Sequence, residues 1–97
     1  MSTLVTDRDA FAESVQFAED SMTVHLDDGR SLSAPLTWYP RLLHGTKKER
    51  ENFQLIGDGE GLHWPDLDED ISVEGFLAGR RSAETDASLA RWIERRR

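Results

Sequence analysis

Residues 14–34 read SVQFAEDSMTVHLDDGRSLSA, and the spacing of their apolar members decides what kind of domain this is. Val15 and Phe17, then Met22, Val24 and Leu26, then Leu32 and Ala34 recur at every second position, the period of strands with one buried face. Glu19-Asp20-Ser21 separates the first two runs. Asp27-Asp28-Gly29 separates the next two with residues that tolerate the positive φ of a tight hairpin. The stretch is expected to fold as an antiparallel three-stranded meander, with His25 on its solvent side.

Downstream, Pro35 breaks the alternation. Thr37 is expected to cap a short helix over Trp38–His44 that has Pro40 in its first turn and Gly45 at its end. Thr46-Lys47-Lys48-Glu49 has capping-box spacing and predicts a second helix from Lys47 to about Asn52. Phe53–Ile56 reads as a strand, Gly57-Asp58-Gly59-Glu60-Gly61 as a reversal, and Leu62-His63-Trp64 as a short partner strand. Pro65–Asp70 then forms an acidic loop whose last residue can cap a helix over Ile71–Ala78, with Val73, Phe76 and Leu77 inward and Gly79 ending it; Ile71, Val73 and Gly75 also suit a strand. The predicted fold is α+β: an N-terminal antiparallel three-stranded meander, two short helices, a further short hairpin and C-terminal helical segments.

A chain of 97 residues supports one hydrophobic core. Its 37% hydrophobic content suffices to fold, and its 32% charged content predicts a highly charged surface. Twelve Lys and Arg against nineteen Asp and Glu give a net charge of −7, which repels nucleic-acid phosphates on average and favours basic partners. With no cysteine there are no disulfides, thiolate nucleophiles or cysteine-based zinc sites. The Met1–Asp9 start lacks a basic region followed by an apolar run, and no apolar stretch is long enough to cross a bilayer, so a cytoplasmic protein without membrane attachment is expected.

The charge is unevenly spread. Residues 1–79 carry six basic and sixteen acidic side chains, whereas residues 80–97 carry six arginines against Glu84, Asp86 and Glu94. We therefore divide the chain into an acidic α+β domain, 1–79, and an Arg-rich tail, 80–97. Within the tail, Leu89, Trp92 and Ile93 fall at helical spacing in Asp86–Arg97, predicting a short amphipathic helix capped by Asp86 with its arginines at the C-terminal end.

Residue types that carry chemistry are present but poorly arranged for it. Gly57–Gly61 lacks the spacing of a phosphate loop, and its own Asp58 and Glu60 would repel phosphate. Asp66, Asp68 and Asp70 alternate as at the start of a calcium loop, yet Ile71 stands where glycine is needed and Leu77 where a bidentate glutamate is needed. None of His25, His44 and His63 stands beside a Ser nucleophile or a second ligand at a recurrent spacing; His63 with Asp66 and Asp68 defines the one conceivable metal-dependent hydrolase. No catalytic residue, cofactor or metal is assigned. Trp38, Tyr39 and Trp64, beside Pro40 and Pro65, form either the edge of a small core or partner anchors, and Trp92 stands open to both roles.

Two segments, LTWYPRLL over residues 36–43 and GLHWPDLDEDISVEG over residues 61–75, carry a resemblance to a bacterial family, the domain of unknown function numbered twenty-four forty-two. The resemblance runs from about Val15 to Gly79. It implies a compact α+β domain without catalytic residues, often encoded beside a second small protein in a toxin–antitoxin-like pair. Some relatives add a helix-turn-helix, for which the eighteen residues after Gly79 are too few.

These readings lead to a non-enzymatic protein-interaction module as the expectation, the antitoxin-like partner of a small protein from an adjacent gene, with a homo-oligomer also open. Its expected contact residues are Trp38, Tyr39, Arg41, Trp64, Asp66, Asp68, Leu89, Trp92, Ile93 and Arg95. The rival from another class is an operon regulator that binds DNA as an oligomer through the tail arginines.

Overall fold

The structure, a computed structural model, describes residues 10–96; the readings of the Met1–Asp9 start and of Arg97 lie outside the described residues. The expected meander is present as β1 (Ala12–Phe17), β2 (Ser21–Leu26) and β3 (Ser31–Pro35), antiparallel in that order. Its register explains the alternation in the sequence. Val15 and Leu32 flank Val24, and Phe17 and Ala34 flank Met22, so two apolar rows cross the sheet on its inner face. The outer face is polar and laterally bonded: His25 Nδ1 lies 2.7 Å from Ser31 Oγ, its Nε2 lies 2.7 Å from Gln16 Oε1, and Thr23 and Ser33 hydroxyls are 2.6 Å apart.

The next segment starts differently from the sequence expectation. Leu36–Trp38 forms a 3-10 turn, and α1 covers Pro40–Leu43, so Thr37 lies inside the turn and caps nothing. The turn starts two residues early, at the buried Leu36, and Pro40 takes the first position of α1, where the missing N–H loses no bond. Helix α2 (Lys47–Glu51) has the expected reciprocal cap: Thr46 Oγ1 accepts from the Glu49 N–H at 3.1 Å, and Glu49 Oε1 accepts from the Thr46 N–H at 2.9 Å.

The expected second hairpin gains a strand. β4 (Gln54–Ile56), β5 (Gly61–Trp64) and β6 (Glu69–Ser72) form an antiparallel sheet in that order, with Phe53 just outside it. Asp70 is therefore a strand residue and not a helix cap. Pairing of Ile71 with Leu62 buries both side chains, which outweighs extending the helix backward through Ile71. Asp68, at φ 52°, turns the chain so that this pairing can form. Helix α3 is shortened to Val73–Leu77 and takes Ser72 as its cap, with Ser72 Oγ accepting from the Gly75 N–H at 3.0 Å. It closes in a Schellman arrangement: Gly79 sits at φ 76°, its N–H bonds Phe76 O, and the Arg80 N–H bonds Gly75 O.

Helix α4 covers Asp86–Arg95, and Thr85 takes the cap position expected of Asp86, its hydroxyl oxygen accepting from the Ser88 N–H at 3.1 Å. Asp86 instead opens the first turn, where a carboxylate complements the helix dipole.

Trp64, Met22, Leu36, Leu42, Leu62 and Leu67 are completely buried between the sheets and short helices. Each such aliphatic side chain contributes about 1.5–3 kcal/mol of transfer free energy. The 57–60 loop abuts β1: the Ala12 N–H donates to Gly59 O at 2.7 Å. Gly59, at φ 110°, could not carry a side chain, because a Cβ there would come within 2.4 Å of Ala12 O.

Candidate functional site

Most of the proposed contact residues converge where residues 80–96 cross the helical side of the molecule. Trp92 is 5% exposed and belongs to the core. Two guanidinium groups stand over its indole, Arg41 from α1 at 5.2 Å and Arg96 at 4.5 Å from the ring centroid. Both arginines are fixed at their far ends. Arg41 Nε donates to Glu84 Oε1 at 2.5 Å and its Nη1 to Asp68 O at 3.2 Å, while Arg96 holds both carboxylate oxygens of Glu49 at 2.6 and 3.0 Å. Leu89 and Ile93 rest half-buried against the core beside Trp92, and Arg95 points to solvent.

The electrostatics follow from these contacts. The Arg96 guanidinium, aided by the Thr46 N–H, pulls the Glu49 carboxyl down to about 2. Bonding to Arg41 likewise holds the Glu84 carboxyl below its ordinary value. A second set of contacts continues the crossing toward α3. Arg81 stands over the half-buried Trp38 ring at 4.6 Å, the Ser82 N–H donates to Trp38 O at 3.0 Å, and the Tyr39 hydroxyl donates to Arg80 O at 3.0 Å. Tyr39 stacks on Phe76, and its burial pushes the phenol up to about 12.

Of the remaining predicted residues, Trp64 and Asp66 stand apart from this cluster, and Asp68 touches it through Arg41. Trp64 has no exposed surface: Phe17 meets its ring edge-on, Phe53 tilts against it, and its indole N–H donates to Arg50 O at 2.8 Å. Asp66 accepts from Asn52 Nδ2 at 2.9 Å, and Asp68 is mostly exposed, with Arg41 as its neighbour. Asp70 bonds His63 instead of joining them. Among the described residues no three His, Asp or Glu side chains come together as a metal site.

Sequence reasoning missed two other surfaces. One is a groove of about 460 Å³ between α2 and β1, the outer strand of the meander among the described residues, lined by Val15, Gln16, Phe17, Ala18, Lys47, Arg50 and Glu51. Lys47 is paired with Glu51 at 2.7 Å, and Arg50 donates to the carbonyls of Leu42 and Leu43, so the charges along the groove are largely spent within the molecule. The alternation of Val15 and Phe17 located the strand but could not say that, among the described residues, it lies at the outside of its sheet. The other surface is β4, an edge strand whose Leu55 and Ile56 are each 43% exposed. Adjacent large apolar residues beside a glycine run were the available signal. Among the described residues no helix is long and apolar enough to cross a membrane.

Comparison with known proteins agrees with this architecture. A crystal structure of a protein of unknown function from Rhodospirillum rubrum ATCC 11170 superposes with a TM-score of 0.65 at 26% identity, covering 82% of this chain and 96% of that one. The solution structure of an uncharacterised protein from Chromobacterium violaceum gives a TM-score of 0.64 at 24% identity over 84% of this chain and 74% of that one, a likeness of fold. No curated protein matches the sequence. The family model described as protein of unknown function DUF2442 matches residues 12–82, from the first strand of the meander to the contact between Ser82 and Trp38, and the chain belongs to that family.

Proposed function

We propose that the chain is a non-enzymatic protein-interaction module, the antitoxin-like partner of a small basic protein encoded nearby. The observation that carries this reading is the β1–α2 groove, in which β1, paired with a strand on one side only among the described residues, runs beside α2 with Val15, Phe17 and Ala18 in the lining. An extended partner segment can add to such an edge, taking affinity from main-chain hydrogen bonds and selectivity from the pocket beside Val15 and Phe17. The net charge of −7 favours a basic partner by raising its encounter rate.

The tail arginines support this reading better than DNA binding. Arg96 is occupied by Glu49 and Trp92, and Arg81 by the Trp38 ring, so phosphate contacts through them would compete with contacts that hold the fold.

The test is affinity capture of the product of the adjacent gene, repeated with Ala18→Arg, which fills the groove from an exposed position. Capture by the parent chain and its loss in Ala18→Arg at unchanged Tm is the expected result. A tagged parent chain that captures no neighbour, with co-expression rescuing no growth defect, would sink the proposal.

A further inference from the structure

The outer face of the meander carries two serines in matched settings. Ser31 and Ser33 are both exposed on β3, on the same face of the strand. The Leu26 N–H donates to Arg30 O, so the next pair along, His25 opposite Ser31, exchanges no main-chain bonds, and Thr23 opposite Ser33 repeats that setting. Side chains approach most closely across such pairs. Ser33 Oγ meets a second hydroxyl, Thr23 Oγ1, at 2.6 Å, whereas Ser31 Oγ meets an imidazole nitrogen, His25 Nδ1, at 2.7 Å.

The far side of the ring fixes where its hydrogen sits. His25 Nε2 lies 2.7 Å from Gln16 Oε1, an atom that can only accept, so Nε2 carries the hydrogen and the neutral ring keeps its lone pair at Nδ1. The Ser31 hydroxyl therefore donates to Nδ1. A hydroxyl that donates to an imidazole, itself oriented by a third side chain, is the arrangement that activates a serine as a nucleophile. Ser33, bonded to Thr23 alone, lacks it.

We infer that Ser31 is a covalent modification site, the acyl acceptor for small activated esters, with His25 as its general base and Gln16 positioning the ring. In the step, Ser31 Oγ bonds to the ester's carbonyl carbon as its proton passes to His25 Nδ1. The bond from that carbon to the leaving oxygen then breaks, and Nδ1 returns the proton to that oxygen. One acyl group stays on Ser31 and one alcohol departs, so the step is stoichiometric. It does not rest on partner capture at the β1–α2 groove, which would survive its failure.

The test is timed treatment of the full chain with p-nitrophenyl acetate, followed by fragmentation of the tryptic peptide over residues 31–41, which separates the two serines. Ser31 should gain acetyl about a hundredfold faster than Ser33, the low end of what a positioned base supplies. His25→Gln should bring Ser31 down to the Ser33 rate. Gln16→Leu should slow Ser31 alone, and Gln16→Glu, which keeps an acceptor for the Nε2–H, should restore it. Ser33 reports on the sheet itself, since a general disturbance would move both serines. Equal acetylation of Ser31 and Ser33 would overturn the inference, as would an unchanged Ser31 rate in His25→Gln. A change at both serines in Gln16→Leu, unrelieved in Gln16→Glu, would overturn the role given to Gln16.

Discussion

Around Trp64 the neighbours are ring faces and aliphatic chains, and the indole N–H is the one polar point in the contact, satisfied by Arg50 O. Around Trp92 the neighbours are two guanidinium planes, each tied to a carboxylate on another part of the chain. The first tryptophan is held by exclusion of water. The second, almost as deeply buried, is covered in addition by charges that also organise the surface, so the β5 core and the C-terminal side differ in what reinforces their burial. A cation over an aromatic ring contributes about 0.5–2 kcal/mol depending on its exposure. Burying a whole indole in an apolar core contributes more.

The largest expected effect follows from the first half of that contrast. Trp64→Ala should cost about 3–5 kcal/mol, a large part of the stability of a domain this size, and chemical denaturation should show a collapsed midpoint. A loss below about 1 kcal/mol would mean that Trp64 is not central to the core.

Trp92→Ala should cost about 2–3 kcal/mol, because detachment of α4 from the body limits the loss. Hydrogen exchange should then rise over residues 85–96 well ahead of the meander. Uniform acceleration across both regions would show that the two sides unfold together and would break the comparison.

Glu49 sharpens it further through pH. Its carboxyl is depressed in the folded state to about 2 from an ordinary 4.5, so its stabilising contribution is complete above pH 4.5 and disappears as pH falls toward 2. Glu49→Gln should cost about 1 kcal/mol at neutral pH, through the capping box and the Arg96 contact, and should flatten the loss of stability across that acid window. Urea midpoints at pH 6 and pH 3 measure both effects; parallel curves for parent and variant would remove Glu49 from the account.

The smallest effect is predicted at the exposed edge. Leu55→Lys should change stability by less than about 0.5 kcal/mol, since the side chain is largely in water, and should lower any self-association read by light scattering. A larger destabilisation would mean that β4 is covered.

The meander was legible because it follows a single rule: alternation fixes the faces, and Asp28-Gly29 fixes the turn. The Thr46–Glu49 cap was legible for the same reason, being local. The start of α1 and the fate of Ile71 were not, because both depend on what the residue meets across the core. Leu36 draws its turn inward, and Leu62 offers Ile71 a strand partner, neither of which is visible in a window of local sequence. The contact residues divide in the same way. Helical spacing placed Leu89, Trp92 and Ile93 on one face, yet the two arginines standing over Trp92 come from positions 41 and 96 and are joined by the fold alone. Glu69 was one of four acidic residues in the Pro65–Asp70 segment, and only the pairing of β6 distinguished it by burying its Oε2.

Of the groups that clasp Trp92, Arg41 and Glu49 lie inside the segment matched by the family model, whereas Arg96 and the indole itself lie beyond it. A relative whose chain stopped near residue 82 would keep the socket without its plug. The last helix thus fastens onto the family segment largely through one aromatic ring and one cation near the end of α4.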